Sequence, residues 1–323
     1  MIEIRKPGLA TTVQDLGRPG HYHLGIPQSG AMDRIALRAA NLLVGNDEGA
    51  AGLEATFMGP EIAFERDALV AVTGATLPIF IDDVEQPGWT ALDVRAGQVL
   101  RFGYLTAGAR VYIGISGGID VPLVLGSRST YLVGAMGGHE GRALAAGDRL
   151  ALGVARSAPV VREVPAALRR ELAAPVALRV LPGIYDHRVT RDATEHFYAD
   201  EWKVAPEADR MGYRFRGGRP VDLVPRRQPF GAGTDPSNIT DASYAYGCIQ
   251  VPGGLEPIVL HRDAVSAGGY FTIGVVISAD MDLIAQMQPN MPTRFARVTM
   301  DEALAARAER RALMNAIRAH LAG

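Results

Sequence analysis

Apolar and polar positions alternate along this chain with two periods, and the shorter one dominates. From Ala63 onward, AFERDALVAVTGA, TLPIFIDD, TALDVRAGQVLRFG and ARVYIGISGG are short runs of Val, Ile, Leu and aromatic residues spaced by Gly, Pro and Asp. Such runs predict β-strands, and their spacing points to a barrel or sandwich rather than alternating βαβ units. The first residues open as a short alternating strand that breaks at Pro7-Gly8. The helical period surfaces in three places. Ile35, Leu37, Leu42 and Leu43 mark one amphipathic helix, which Gly45-Asn46 stops. A short helix over roughly Arg191–Tyr198 follows Thr190, a residue suited to the N-cap. The last begins at Thr299-Met300-Asp301-Glu302, a Thr-x-x-Glu capping box, and carries Leu304, Ala308, Leu313, Ile317 and Leu321 near one side. The pattern predicts a mainly β chain with a few helices, a β-rich α+β fold.

The stretch from Asp15 to Asn46 joins a turn-rich loop, punctuated by Gly17, Pro19, Gly20, Gly25, Pro27 and Gly30, to the first helix. Ser29 or Asp33 is placed to cap that helix. A helix N-terminus offers unpaired N–H groups to an anion, so this junction is a candidate site as well as an ordinary connection. Two pieces resemble each other: Arg95-Ala96-Gly97-Gln98-Val99-Leu100 and Ala145-Ala146-Gly147-Asp148-Arg149-Leu150. Each reads as a glycine turn entering a strand, with a weaker echo at residues 288–295. Prolines, charges and weak periodicity after Ala155 read as a connector. A chain of 323 residues exceeds a typical single core, so two units are expected, 1–160 and 176–323, joined by 161–175.

Charge narrows the partners. The 33 basic and 35 acidic residues nearly cancel, which argues against nucleic acid or a membrane surface. A single cysteine, Cys248, excludes an internal disulfide and any multi-cysteine metal site, and its YGCIQV context reads as a strand carrying a buried thiol. Arg5-Lys6-Pro7 follows the start with no apolar signal region, and no apolar run reaches the roughly 20 residues needed to span a bilayer. A cytoplasmic location is expected.

The chain lacks the G-x-x-x-x-G-K-[ST] loop, a dinucleotide fingerprint, a G-x-S-x-G elbow and a Met-Lys-Met biotin attachment site. Biotin is therefore not attached to this chain. His21-Tyr22-His23 has a spacing that can set two imidazoles on one side of a strand, but a metal would have to borrow Asp15, Glu54 or His261, and no metal is expected. Gly126-Ser127-Arg128-Ser129-Thr130 places hydroxyls around an arginine, several donors for a carboxylate or phosphate. Asp209-Arg210-Met211-Gly212-Tyr213-Arg214 offers a second arginine-bearing turn. Structural ion pairs are the competing reading: Arg128 with Asp120, and Arg210 with Asp209 or Glu207. Among acids, Asp15 and Asp263 can orient an amide-like nitrogen or act as a base, whereas Asp33 has a rival role as a cap.

DLGRPG–HLGIPQSGAMDRIALRAANLLVGN strongly resembles the signature of the biotin-dependent carboxyltransferase-like family, which includes the 5-oxoprolinase C subunit (KipA-type) and allophanate hydrolase subunit 2. Collinear blocks continue the resemblance over nearly the whole chain, among them Ser116–Pro122, Leu125–Tyr131, Gly137–Arg142, Asp209–Arg214, Ile249–Pro252, Pro257–Leu260 and Ile277–Asp280. The resemblance implies two cyclophilin-like β-barrel units in one chain. It also implies a complex with two partners, the KipI-like B component of 5-oxoprolinase and its LamB/YcsF-like A component. Such a complex opens 5-oxoproline or a related lactam or amide to glutamate with ATP, whose site is shared with those partners. Carboxyl transfer from carboxybiotin to urea, and a non-catalytic KipA-type regulator of a KipI-like kinase inhibitor, are the alternatives. In the first reading Arg128 and Arg210 hold an anionic group, and Asp15 and Asp263 orient the ring nitrogen or assist proton transfer. Ser127, Ser129 and Gln250 supply hydrogen bonds there, and Ser29, Asp33 and Tyr213 complete the substrate-binding set. The chain departs from the family pattern over Asp263–Thr272: the aspartate and the glycines are kept, but two basic residues, an amide and a proline are replaced. A changed substrate and a chain that only binds both stay open there.

Overall fold

The long strands set the plan. ALVAVTGAT and AGARVYIGI are apolar on nearly every residue, a pattern that suits strands covered on both faces. The computed structural model describes residues 1–157, 159–171 and 174–323, and the protein is mostly β. It divides into two units: Met1–Arg18, Ser29–Glu171 and Arg311–Gly323 in the first, Pro19–Gln28 and Leu172–Arg310 in the second.

In chain order the first unit carries β1 (Ile2–Lys6), β2 (Ala10–Gln14), α1 (Arg34–Leu43), β3 (Gly52–Thr56), β4 (Glu61–Phe64), β5 (Ala68–Thr76), β6 (Ile79–Ile81), β7 (Val84–Gln86), β8 (Ala91–Val94), β9 (Val99–Phe102), β10 (Ala107–Ile115) and β11 (Arg149–Leu150). They form a six-stranded sheet, β11-β1-β4-β9-β6-β7, and a five-stranded sheet, β2-β3-β10-β5-β8. Ile2, Ile4, Leu53, Val111 and Ile113 belong to one shared core. Helix α1 lies on β5 and β10. Its buried face is Ile35, Ala36, Leu37, Ala39, Ala40 and Leu43, the small alanines allowing close approach. A side chain at Gly114 would meet the Ala40 carbonyl oxygen at 2.7 Å, so β10 needs glycine where the helix crosses it.

The second unit carries β12 (Val176–Pro182), α2 (Arg191–Ala199), β13 (Trp202–Val204), β14 (Gly212–Arg216), β15 (Asn238–Ser243), β16 (Cys248–Gln250), β17 (Ile258–Leu260), β18 (Ala267–Tyr270), β19 (Thr272–Val276), α3 (Met281–Ile284), β20 (Pro292–Arg297) and the start of α4 (Met300–Ala322). Seven strands close into a barrel, β12-β19-β16-β17-β14-β13-β20, and β15 pairs with β18 apart from it. Closure falls to β20, which runs parallel to β12 from Val176↔Thr293 to Val180↔Arg297 and antiparallel to β13 at Trp202↔Thr293. Phe295 of β20 stacks on Phe197 at 4.7 Å between ring centres and meets Phe215 edge-on at 5.3 Å. Thr190 caps α2 through the Ala193 amide, as its sequence position predicts.

Three expectations need correction. The expected connector 161–175 is hydrogen-bonded into the first unit: the Ala91 amide donates to the Arg162 carbonyl and the Val164 amide to the Trp89 carbonyl. Val164 is fully buried beside Ile35, Ala39 and Leu43; Leu172 and Ala173 lie outside the described residues. The final helix does not belong wholly to the second unit, because Arg311–Gly323 groups with the first. Its buried positions also differ from the expected face: Ala303 and Ala306 early, then Met314, Ile317 and Leu321, with Leu304 and Ala308 exposed. The capping box holds, the Thr299 amide donating to Glu302 at 2.7 Å and the Glu302 amide to the Thr299 hydroxyl at 3.3 Å. Finally, His21-Tyr22-His23 is not a strand: Tyr22–Leu24 is one 3-10 turn, which does not give the two imidazoles a strand's alternation. Among the described residues, no group of three or more His, Cys, Asp or Glu side chains could hold a metal ion.

Candidate functional site

The structure brings Asp15, Ser127 and Ser129 of the first unit together. Asp15 Oδ1 accepts hydrogen bonds from the Gly17 amide at 2.7 Å, the Ser127 hydroxyl at 2.6 Å and the Ser129 hydroxyl, while Oδ2 accepts from the Arg128 amide at 2.6 Å. Both hydroxyls also receive backbone amides, Ser129 Oγ from Asp15 and Ser127 Oγ from Ser129. The Arg128 side chain points elsewhere, to the Val121 carbonyl at 2.8 Å and to Asp120 at 3.1 Å. A carboxylate surrounded by four donors, all from its own chain, is a clasp between two loops. The competing ion-pair reading of Arg128 with Asp120 is the one realised.

The start of α1 is equally self-contained. Asp33, not Ser29, caps the helix, accepting from the Ala36 amide at 3.0 Å. The Asp33 amide donates to the Tyr112 hydroxyl at 2.8 Å, and that hydroxyl donates to Glu54 at 2.8 Å. Glu54 also accepts from the Met32 amide at 2.9 Å. Burial, with the Glu54 charge second, holds the Tyr112 phenol well above its ordinary pKa, so it stays a donor. The Asp33 and Ala36 amides at the helix start are thus taken up inside the protein. Ser29 is fully buried with φ +51° before the helix.

A different arrangement occurs in the second unit. A cleft of about 580 Å³ opens over β14, β16 and β17. Ile258, Leu260 and Met211 give it apolar wall; Glu207, Arg214, Gln250 and Glu256 supply its polar groups. Strand alternation decides which residues face it: Tyr213 and Phe215 point into the barrel core, so Arg214 and Arg216 are turned outward. Tyr213 is accordingly removed from the cleft, its hydroxyl 3.5 Å from the Met287 carbonyl. Gln250 lines the cleft. Asp209 accepts from the Met211 and Gly212 amides, and Arg216 donates to Asn290. No hydrogen bond or ion pair engages the side chains of Glu207, Arg214 or Glu256 among the described residues.

Arg210 and Asp263 meet each other rather than a space for ligand. Arg210 Nε lies 2.7 Å and Nη2 3.2 Å from the Asp263 carboxylate, with Asp263 buried and Arg210 half-buried. Asp263 is thus the partner of Arg210, where the sequence suggested Asp209 or Glu207. The Asp263 amide donates to the Arg210 carbonyl and the His261 amide to the Met211 carbonyl. The pair therefore fastens together the two loops, 209–212 and 261–265, that form one wall of the cleft. Beside it Arg262 lies over the Tyr246 ring at 4.1 Å and donates to Gln28 at 3.2 Å. Cys248 is buried, and burial pushes its thiol up, away from nucleophilic chemistry.

Residues 24–297 match the family model of the carboxyltransferase domain, subdomain A and B. The chain belongs to that family. This carboxyltransferase-family protein is 38% identical over 308 residues to the 5-oxoprolinase C subunit of Escherichia coli, covering 95% of this chain and 94% of that one. It is 34% identical over 311 residues to the urea amidolyase of Saccharomyces cerevisiae, 91% of this chain but 16% of that one. The crystal structure of the K. lactis urea amidolyase superimposes with a TM-score of 0.91 at 32% identity over 98% of this chain, which spans 20% of that protein. The family's relatives are thus enzymes or enzyme subunits. Among the described residues, no helix is long and apolar enough to cross a membrane.

Arg214, Glu207 and Glu256 are not among the site residues the sequence points to, although Glu207 is named there as a possible ion-pair partner. Arg214 stands in the second arginine-bearing turn beside Arg210, and period-two alternation away from Tyr213 is the signal that separates the two arginines.

Proposed function

We propose that this protein is the C subunit of an ATP-dependent 5-oxoprolinase-type complex and that the cleft over β14, β16 and β17 receives the lactam. The observation that carries the reading is the 38% identity to the C subunit of a 5-oxoprolinase, over 95% of this chain and 94% of that relative. The urea amidolyases match over a small share of their length. Arg214 donates to the carboxylate of 5-oxoproline in a charge-assisted fork. The Gln250 amide and a carboxylate of Glu207 or Glu256 meet the lactam oxygen and N–H. Arg210 and Asp263 act as positioning residues that keep the wall of the cleft in place. Ring opening adds water across the lactam C–N bond to give glutamate, and ATP hydrolysis drives it. The chain carries no standard phosphate loop, so the nucleotide is handled together with the KipI-like and LamB/YcsF-like components of the complex, in the cytoplasm.

The test is ATP hydrolysis by the three proteins purified together, with and without 5-oxoproline. Hydrolysis that requires the lactam and releases one glutamate per ATP is expected. A well-formed complex that hydrolyses no ATP with 5-oxoproline overturns the assignment. The K. lactis superposition favours a second reading, carboxyl transfer from a biotinylated partner to urea or a similar acceptor. Activity abolished by avidin would select it.

A further inference from the structure

Three half-buried arginines of the second unit each face a carboxylate: Arg179 meets Asp280, Arg210 meets Asp263 and Arg310 meets Asp282. Arg188 does not. It ends the 3-10 turn Asp186–Arg188, is 5% exposed, and makes one side-chain hydrogen bond, from Nη2 to the Pro236 carbonyl at 2.7 Å. Its Nε and Nη1 are buried with no partner. Burial first, and then the neighbouring cation Arg226, hold its pKa below the ordinary arginine value, with Tyr185 opposing them. Arg226 is itself directed by neutral oxygens, Gln228 Oε1 at 3.2 Å and the Asn238 carbonyl at 3.1 Å. The carboxylate of Asp235 is turned to the Ser237 amide and hydroxyl. Two guanidinium groups thus donate to carbonyls two residues apart, Pro236 and Asn238, and neither forms an ion pair with a carboxylate among the described residues. A buried, uncompensated charge is among the costliest features a fold can hold, and a like charge beside it raises that cost.

We propose that Arg188 and Arg226 form a binding site for a divalent oxyanion, inorganic phosphate or the phosphate of a phosphate ester, at the base of the loop from Pro225 to Ser237. A dianion balances both cations, and its several oxygens match the free Nε and Nη1 donors of Arg188 while Arg226 approaches from the loop. A monocarboxylate neutralises one of the two. The proposal is independent of the lactam cleft and holds whatever reaction the complex performs.

The experiment is isothermal titration calorimetry of the full chain with inorganic phosphate, then ATP, in chloride buffer, with acetate at matched ionic strength as the control. Saturable phosphate binding is expected, with a response to acetate at least about tenfold weaker. Equal affinity for phosphate and ATP marks a free-phosphate site; tighter ATP binding marks a phosphate ester. R226Q removes one exposed cation and should weaken phosphate binding about tenfold or more while leaving the phosphate-free melting temperature unchanged. R188M removes the buried charge and should raise the phosphate-free melting temperature while erasing the phosphate-dependent gain. No saturable binding up to about 10 mM phosphate, equal responses to phosphate and acetate, or phosphate affinity unaltered by R226Q each overturn the proposal.

Discussion

The Asp15 clasp of the first unit and the cleft of the second use similar residue types to opposite ends. In the clasp, a carboxylate accepts from two serine hydroxyls and two backbone amides. In the cleft, Arg214, Glu207 and Glu256 have hydrogen-bonding capacity and no partner among the described residues. Density of polar residues in a sequence block therefore does not separate structure from function; uncommitted donors and acceptors facing a space do. Buried polar groups that are fully satisfied hold a fold together.

The contrast yields graded expectations. D15A strands four donors at once and should lower unfolding free energy by about 3–5 kcal/mol, read by urea denaturation; loss of under about 1 kcal/mol would make the clasp dispensable. R210L leaves Asp263 buried and unpaired, and should cost about 2–4 kcal/mol with a rise in KM as the cleft wall loosens. R214M should leave the urea midpoint unchanged and lower kcat/KM for 5-oxoproline about 30-fold to 100-fold, equivalent to roughly 2–3 kcal/mol of lost charge-assisted hydrogen bonding. The smallest effect concerns acid. Hydrogen bonding from Arg142 holds the Asp148 carboxyl down at about 2. A depressed carboxylate adds stability above its unfolded pKa, near 4, and that contribution disappears as pH falls through about 2. D148N should therefore be less stable than the parent at neutral pH and match it near pH 2, by no more than about 1 kcal/mol because solvent screens the pair.

How far the sequence could be read depended on how local each feature is. Caps are local, and Thr190, Asp33 and the Thr299–Glu302 box occur where the residue pattern places them. The glycine turns at Gly97 and Gly147 each lead into a strand, β9 and β11, and Asn290 takes the left-handed position before β20. The buried face of α4 was not legible, because it depends on what the helix packs against: Ile277 and Ala279 near Ala306, then Ile35 and Leu43 near Ile317. The same holds for Asp263, whose partner Arg210 stands 53 residues away. The cleft was half-legible. Gln250, which lines it, stands in one of the blocks that carry the resemblance, whereas Arg214 requires knowing that Tyr213 faces the barrel interior.

The most direct measurement is the ratio of kcat/KM for 5-oxoproline to that for 2-pyrrolidinone, the same lactam without the carboxylate, in complexes carrying the parent chain or R214M. If Arg214 reads the carboxylate, the parent strongly prefers 5-oxoproline and R214M reduces that preference by about 30-fold or more, with the 2-pyrrolidinone rate little changed. A preference that survives R214M intact would contradict the account and move the substrate out of this cleft.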